Sequence, residues 1–254
     1  MVNMKKWEEL PAEMQVEEVR PYYEALKRKK LSLLFKRVFD IFVGFLLLVI
    51  LSPVFMLLAV AIKLDSPGPV FYRQVRVTRY GKRFRIFKFR TMVTGAEKLG
   101  GQLTTDGDAR VTRVGRMIRR FRLDEIPQLI DVLRGTMTFV GVRPEVPKYI
   151  DRYTPEMMAT LLLPAGVTNM ACIYYKDECR LLADTRKADE IYVEKILPGK
   201  MKWNLKGIME FSFWGDIRLM FMTLFAVFGK DYGAEYTERE REKEMERERR
   251  ILNV

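Results

Sequence analysis

Residues 41–62, IFVGFLLLVILSPVFMLLAVAI, run for 22 positions without a charge. No other stretch limits the fold as much. At about 1.5 Å per residue, a straight helix of that length would cross a hydrocarbon core of roughly 30 Å. Ser52-Pro53 falls in its middle. Proline lacks the amide hydrogen a helix needs and bends it. The serine hydroxyl offers a replacement bond, which matters where no water reaches. Both flanks are basic: Lys27 to Lys30, Lys36 and Arg37 before the run, and Lys63, Arg73, Arg76 and Arg79 after it. Positive charge marks the cytoplasmic end of a span, so two positive ends give no direction. A helix that enters, bends at Ser52-Pro53 and returns to the same side removes the conflict. A straight single-pass anchor is the other reading of these residues, since membrane helices tolerate proline. The run starts too late and is too long for a cleavable signal.

The net charge of +12 is concentrated. Residues 63–143 hold 18 basic and 7 acidic side chains, while residues 1–35 and 235–254 are nearly balanced. A phosphate-rich partner follows: nucleic acid, anionic lipid or a nucleotide-sugar. The chain has no His, and its two cysteines, Cys172 and Cys179, form no CxxC pair. That argues against a zinc site and for reduced thiols. Proton or group transfer must then use carboxylates, Lys or Tyr.

The segment RLDEIPQLIDVLRG, residues 122–135, places an acidic pair, Asp124 and Glu125, at the start of a helical pattern. Ile126, Leu129, Ile130 and Leu133 recur on one face. Pro127 suits a first turn, and Gly135 a helix stop. Taken alone, the pair reads as an N-cap and a response to the helix dipole. Arg116, Arg119, Arg120 and Arg122 lie just upstream. Opposite charge so near should lower both carboxyl pKa values and hold both groups ionised.

Around this segment the chain reads as follows. Residues 1–30 suggest amphipathic helix around Pro11 and Pro21. Residues 66–92 alternate apolar and basic side chains about Tyr80-Gly81, which predicts a strand pair. Arg73, Arg85 and Lys88 would project from it toward phosphate, or toward lipid head groups. TTDGDARVTRVGRMIRRFR, residues 104–122, runs from a loop into a short basic helix. In TFVGVRPEVPKY, residues 138–149, Gly141 and two prolines force an irregular path. Arg143 is held between Val142 and Pro144, ready for bidentate phosphate or base recognition or for binding nearby carbonyls. A helix from Thr154-Pro155 to Leu163, an irregular stretch over 166–180 and a helix over Ala183–Leu197 come next. Trp203 to Phe228 is too interrupted to span; it suits a helix lying in the membrane interface or a buried helix pair. EYTEREREKEMERERR, residues 235–250, reads as a solvated helix with a Thr237–Glu240 capping box.

Six stretches then occur in a set order. KRVFD (36–40) precedes the broken apolar run. GPVFYRQVR (68–76), KFRTM (88–92), DARVTRVGRMIRR (108–120), LDEIPQLIDVL (123–133) and VGVRP (140–144) follow. Together they resemble the bacterial sugar transferases known as monotopic phosphoglycosyl transferases, closely over residues 36–150 and loosely over 150–228. The resemblance implies transfer of a sugar-1-phosphate from a UDP-sugar to undecaprenyl (polyprenyl) phosphate, with release of UMP. It implies an α+β, mostly helical, small membrane-associated domain at the cytoplasmic face of the bacterial inner membrane. Such a domain has a re-entrant helix bent at Ser52-Pro53, a short β-hairpin and interfacial amphipathic helices. It implies that Asp124 is the nucleophile, forming a phosphosugar-aspartate, and that Glu125 helps hold Mg²⁺. Lys88, Arg119 and Arg143 with Pro144 become candidates for substrate binding, as more weakly do Arg90 and Arg113.

The chemistry of the residues agrees. A covalent intermediate lets a water-soluble donor and a lipid acceptor use one site in turn. Mg²⁺ takes hard oxygen ligands and neutralises charge between an anionic nucleophile and an anionic phosphorus. The domain plan is then an N-terminal helical extension (1–35), the re-entrant helix (36–63), the catalytic domain (64–230) and a charged helical tail (231–254). The extension and tail are sites for a second copy or a later pathway enzyme. Two departures stand out. Val142 sits where the family commonly has proline, which predicts a looser loop. The 164–200 stretch, beginning Pro164-Ala165-Gly166-Val167-Thr168-Asn169, is unusual and leaves the sugar open. Two other functions compete: a catalytically inactive membrane scaffold of the same fold, opposed by the intact Asp124-Glu125 pair, and a nucleic-acid binder, opposed by the apolar run.

Overall fold

The computed structural model describes residues 4–96, 108–174, 188–227 and residue 232. The chain begins with two single 3-10 turns, Trp7–Glu9 and Ala12–Met14, and then α1 (Arg20–Lys27). Leu10, Met14, Val19, Tyr23 and Leu26 are buried in one cluster with Ala159, Leu162, Ile208 and Phe211. Each such side chain, fully buried, contributes about 1.5–3 kcal/mol. The segment expected as an extension therefore packs into the core.

α2 (Lys30–Ile50) and α3 (Ser52–Asp65) carry the apolar run. Next, β1 (Phe71–Val77) and β2 (Arg83–Phe89) form the predicted antiparallel hairpin, with Phe71 opposite Phe89 and Val77 opposite Arg83. α4 (Arg113–Arg120) is capped by Thr112, whose hydroxyl accepts from the Gly115 amide at 3.0 Å. A 3-10 turn, Leu123–Glu125, leads into α5 (Gln128–Arg134), β3 (Met137–Val140) and the short α6 (Pro147–Ile150). A 3-10 segment, Glu156–Leu162, precedes β4 (Ala165–Thr168) and α7 (Met170–Tyr174). α8 (Ala188–Ile191) continues through a π turn, Tyr192–Ile196, into α9 (Leu197–Met209), and α10 (Phe213–Val227) follows. The domain is thus α+β and mostly helical.

β3 and β4 pair in parallel, Met137 opposite Ala165 and Val140 opposite Thr168. Both stretches read as irregular from their sequence. Every residue of β3 is buried, so the strand shows no alternation, and four residues are too few to signal alone. The pairing continues past β3 through glycine: a Cβ on Gly166 would fall 2.1 Å from the Gly141 carbonyl oxygen. The Gly166 amide donates to the Val142 carbonyl at 2.8 Å. The loop expected to be loose is pinned there, and Val142 packs against the N-terminal cluster.

α2 and α3 meet at Leu51 with a bend of 59°. No single helix among the described residues is long and apolar enough to cross a membrane; the bent pair has the length and composition together. Pro53 has no amide hydrogen for the Val49 carbonyl four residues back. The Ser52 hydroxyl donates to that carbonyl at 2.8 Å instead.

α2 is inverted relative to a helix on a water-soluble core. It buries Leu33, Lys36, Asp40 and Gly44, one stripe at helical spacing. Phe35, Val38, Phe42, Phe45 and Val49 are each more than half exposed, as are Met56, Leu57, Val60 and Leu64 on α3. The buried polar groups are ties. Lys36 donates to the Val140 carbonyl at 2.7 Å and to Asp216 at 2.5 Å. Asp40 accepts from the Thr138 hydroxyl at 2.6 Å and the Phe139 amide at 3.2 Å. Arg37 donates to the Val132 and Leu133 carbonyls at 2.6 and 2.9 Å, meeting the negative end of α5. Lys36 and Arg37 are thus internal fasteners rather than a basic flank. The tail expected over 235–250, loop residues 104–107 and Cys179 lie outside the described residues.

Candidate active site

The turn carrying the acidic pair begins with a backbone reversal. Arg122 adopts φ 56°, ψ 20°, a left-handed conformation that costs a non-glycine residue about 1 kcal/mol or more. It ends the run from α4 and swings the chain into Leu123–Glu125. The sequence pattern started a helix at Asp124. Instead Pro127 occupies the cap position and α5 starts at Gln128. Asp124 and Glu125 therefore stand on a 3-10 turn, and neither side chain caps α5.

Three elements converge on Glu125. Lys88, near the end of β2, donates to Oε1 at 2.8 Å. Arg143, from the loop after β3, donates through Nη1 to Oε2 at 3.1 Å and through Nη2 to Oε1. The fork is bidentate, the strong geometry for guanidinium and carboxylate. Asp131 of α5 holds the hairpin in place by accepting from the Phe87 amide at 2.8 Å, next to Lys88. Burial pushes the Glu125 pKa up, but Arg143 and then Lys88 outweigh it and hold the carboxyl well below its usual range. That much matches expectation.

Asp124 does not. Its half-buried carboxylate makes no hydrogen bond or ion pair among the described residues. Burial raises its pKa above the ordinary value; Lys88, Arg119 and Arg122 pull it down and Glu125 pushes it up. The expectation of a depressed pKa is therefore corrected: the nearest cations are spent on Glu125, and burial prevails at Asp124. A carboxylate poorly stabilised by its surroundings gives up less on bonding to phosphorus.

The other candidates separate. Arg119 lies within electrostatic reach of Asp124. Arg113 is exposed at the start of α4. Arg90 is buried and committed elsewhere, donating to the Pro67 carbonyl at 2.7 Å, the Ser66 carbonyl at 2.6 Å and the Thr94 hydroxyl at 2.9 Å. It staples the end of α3 and is not brought to Glu125. The Pro144 carbonyl accepts from Arg76 at 3.0 Å, so Pro144 shapes the loop that presents Arg143. Arg73 lies over the Phe87 ring, 3.4 Å from its centroid, rather than facing a phosphate.

Sequence reasoning missed the brace behind Arg143. The Tyr192 hydroxyl donates to Glu145 at 2.6 Å, and Lys200 donates to that hydroxyl at 3.0 Å. The Val77 amide donates to the Glu145 carbonyl at 3.0 Å. These residues come from three distant stretches and share no spacing that would mark them.

Among the described residues, no three carboxylate or thiol side chains gather as a metal cage. Glu125 Oε2 accepts one hydrogen bond and keeps a second lone-pair site, and Asp124 is adjacent. Such a donor set suits an ion that keeps several waters and takes other ligands from substrate phosphates, the habit of Mg²⁺.

The sequence model of the family described as bacterial sugar transferase matches residues 31–230. The chain is 36% identical over 192 residues to UDP-N-acetylgalactosamine-undecaprenyl-phosphate N-acetylgalactosaminephosphotransferase of Aeromonas hydrophila, covering 74% of this chain and 42% of that protein. It is 39% identical over 199 residues to UDP-glucose:undecaprenyl-phosphate glucose-1-phosphate transferase of Escherichia coli, covering 77% and 40%. The protein of the same description from Caulobacter vibrioides is 35% identical over 192 residues, covering 74% and 68%. The chain thus spans about two fifths of the length of the first two relatives.

Proposed function

The chain belongs to the bacterial sugar transferase family, and from that premise we propose that it moves a sugar-1-phosphate from a UDP-sugar to a polyprenyl phosphate. One observation carries the chemistry: of two adjacent carboxylates, Glu125 is paired with two cations and Asp124 is left open among the described residues. Asp124 attacks the sugar-bearing phosphorus, forming an O–P bond as the bond to UMP breaks. UMP leaves with the bridging oxygen. A phosphate oxygen of the polyprenyl acceptor then attacks the same phosphorus, and the Asp124 carboxylate is released unchanged. Splitting the displacement lets the two substrates take turns. Lys88, Arg119 and Arg143 offset the diphosphate charge. Glu125, with Asp124, would hold Mg²⁺, which supplies further neutralisation at the phosphates.

The membrane setting is part of the same proposal. The apolar outer faces of α2 and α3, with Trp214, Phe221 and Phe225 exposed on α10, suit a re-entrant hairpin and an interfacial helix at the cytoplasmic face of the inner membrane. Basic residues 63–143 suit anionic lipid and phosphate substrates. The test is UMP release and intact mass with a UDP-sugar panel, Mg²⁺ and polyprenyl phosphate. The wild type should gain a phosphosugar mass and release UMP, and Asp124→Asn should do neither. No turnover with any sugar would favour the inactive scaffold. Cysteines introduced near residues 30 and 70 of sealed cells should both resist labelling from outside; labelling at 70 would defeat the re-entrant hairpin.

A further inference from the structure

The loop that presents Arg143 carries a second buried carboxylate. Glu145 stands two residues further on, is 7% exposed, and lies within electrostatic reach of the Arg143 guanidinium. A buried carboxylate is costly until something pairs with it. Arg143 is the cation on its own loop, yet Arg143 closes on Glu125. Arg76 is another cation near Glu145, but it donates to Gln74 Oε1 and the Pro144 carbonyl. Among the described residues, the Glu145 side chain is held by Tyr192 and Lys200 instead. The Tyr192 hydroxyl donates to Oε1 at 2.6 Å, and Lys200 Nζ lies 3.6 Å from the same oxygen. Lys200 also donates to the Tyr192 hydroxyl at 3.0 Å.

The helix that supplies this pair brings both side chains to one face. Tyr192 opens the π turn between α8 and α9. In a regular α-helix, residues eight apart, as Tyr192 and Lys200 are, would stand about 80° apart around the axis. The one extra residue that a π turn takes up cuts this to about 20°; such turns cluster at functional sites. Neighbours then lock Tyr192. Its ring lies 4.5 Å from that of Tyr149, centroid to centroid, and the Tyr149 hydroxyl donates to Asp189 at 2.6 Å. The backbone of the loop has its own tie, since the Glu145 carbonyl accepts from the Val77 amide at 3.0 Å. The Tyr192–Lys200 pair acts on the carboxylate.

We propose that Tyr192 and Lys200 are positioning residues for the transfer: they hold Glu145 away from Arg143, so that the Arg143 fork stays on the Leu123–Glu125 turn. The inference rests on the transferase reading and adds to it two residues from outside the segments that carry its motifs. Released from Tyr192, Glu145 would compete with Glu125 for one guanidinium. A fork drawn to the wrong carboxylate is a misplaced phosphate-binding group.

Two readouts on the full chain in lipid nanodiscs test this. The first is guanidinium NMR with labelled arginine, the Arg143 signals being identified by their loss in Arg143→Lys. In the wild type, Glu125→Gln should shift these signals and Glu145→Gln should leave them nearly in place. In Tyr192→Phe the two should exchange roles. The second is UMP release per folded molecule. Tyr192→Phe should lower kcat/KM for the UDP-sugar about tenfold. Tyr192→Phe/Glu145→Gln should recover most of that loss, because a neutral amide offers Arg143 one acceptor and no charge. Lys200→Met and Lys200→Met/Glu145→Gln make the same comparison, and the double variant strands no buried charge. A brace that serves only the fold predicts the reverse: each further substitution loosens the loop, and the double variants are slower than the singles. That result would overturn the proposal. So would Arg143 signals that still follow Glu125 in Tyr192→Phe. A wild type that releases UMP from no donor defeats the transferase reading, while the NMR still decides which carboxylate holds Arg143.

Discussion

Two ionic clusters flank β3, and they treat charge differently. At the anchor of α2 every buried polar group has a partner: Lys36 with Asp216 and the Val140 carbonyl, Asp40 with Thr138 and the Phe139 amide, Arg37 with the last carbonyls of α5. At the Leu123–Glu125 turn Glu125 is paired with Lys88 and Arg143, while Asp124 beside it has no partner among the described residues. Saturated charge fixes geometry. A carboxylate left unpaired costs stability and stays available for bonding, the usual trade at a reactive site. The two clusters should therefore respond in opposite ways to loss of a charge.

The sharpest contrast is Asp124→Asn. Removing the proposed nucleophile should lower kcat/KM on the order of 10⁴-fold, about 5.5 kcal/mol in transition-state terms, read as UMP release. Folding stability should not fall. The raised pKa gives the sign: wild-type stability from this group is fully present below its unfolded pKa and lost as pH rises through its folded pKa. Asparagine removes that loss. With chelator present, the variant's Tm should match the wild type in acid and exceed it at neutral pH. A lower Tm at neutral pH would mean that Asp124 is structural.

Lys36→Met should do the reverse. It strands Asp216 without its cation, and breaking a buried pair costs about 3–5 kcal/mol. At roughly 2–4 °C per kcal/mol for a chain of this size, the fall in Tm is easily measured. Turnover per folded molecule should change far less than stability does. Arg143→Lys comes next. A point charge replaces a fork, so the bidentate hold on Glu125 is lost. A misplaced active-site group can cost on the order of 10²-fold, and kcat/KM should fall by that much with little loss of Tm.

The contrast between the clusters also explains what the sequence made legible. Strong local periodicity carried the hairpin over 71–89 and the break at Ser52-Pro53, because a two-residue alternation and a proline act on their own neighbours. The acidic pair was legible for the same reason. The fate of each charge was not, because it depends on which distant cation arrives first: Lys88 is 37 residues from Glu125, and Arg143 is 18. Arg90 sits in a motif beside Lys88, yet its guanidinium closes on carbonyls of residues 66 and 67. β3 and β4 were hidden by being short and buried throughout. The inward stripe of α2 did leave a trace. Lys36, Asp40 and Gly44 recur every fourth residue at the edge of an apolar run, the spacing of one helix face.

The smallest expected effect tests the bend on which α2 and α3 turn. Ser52→Ala removes the hydroxyl that donates to the Val49 carbonyl, leaving it only a backbone N–H at the end of α2 beside Pro53. The loss should be about 1 kcal/mol, read as Tm in lipid nanodiscs. Pro53→Ala restores an amide hydrogen to the same carbonyl and removes the reason for the bend. The double variant should therefore recover the Tm lost by Ser52→Ala while straightening the pair, and residue 70 should become open to labelling from outside sealed cells. If the double variant is no more stable than Ser52→Ala, the Val49 carbonyl is not what the hydroxyl serves. If it recovers Tm and residue 70 stays protected, the ties of Lys36, Arg37 and Asp40 hold the hairpin's orientation without help from the bend.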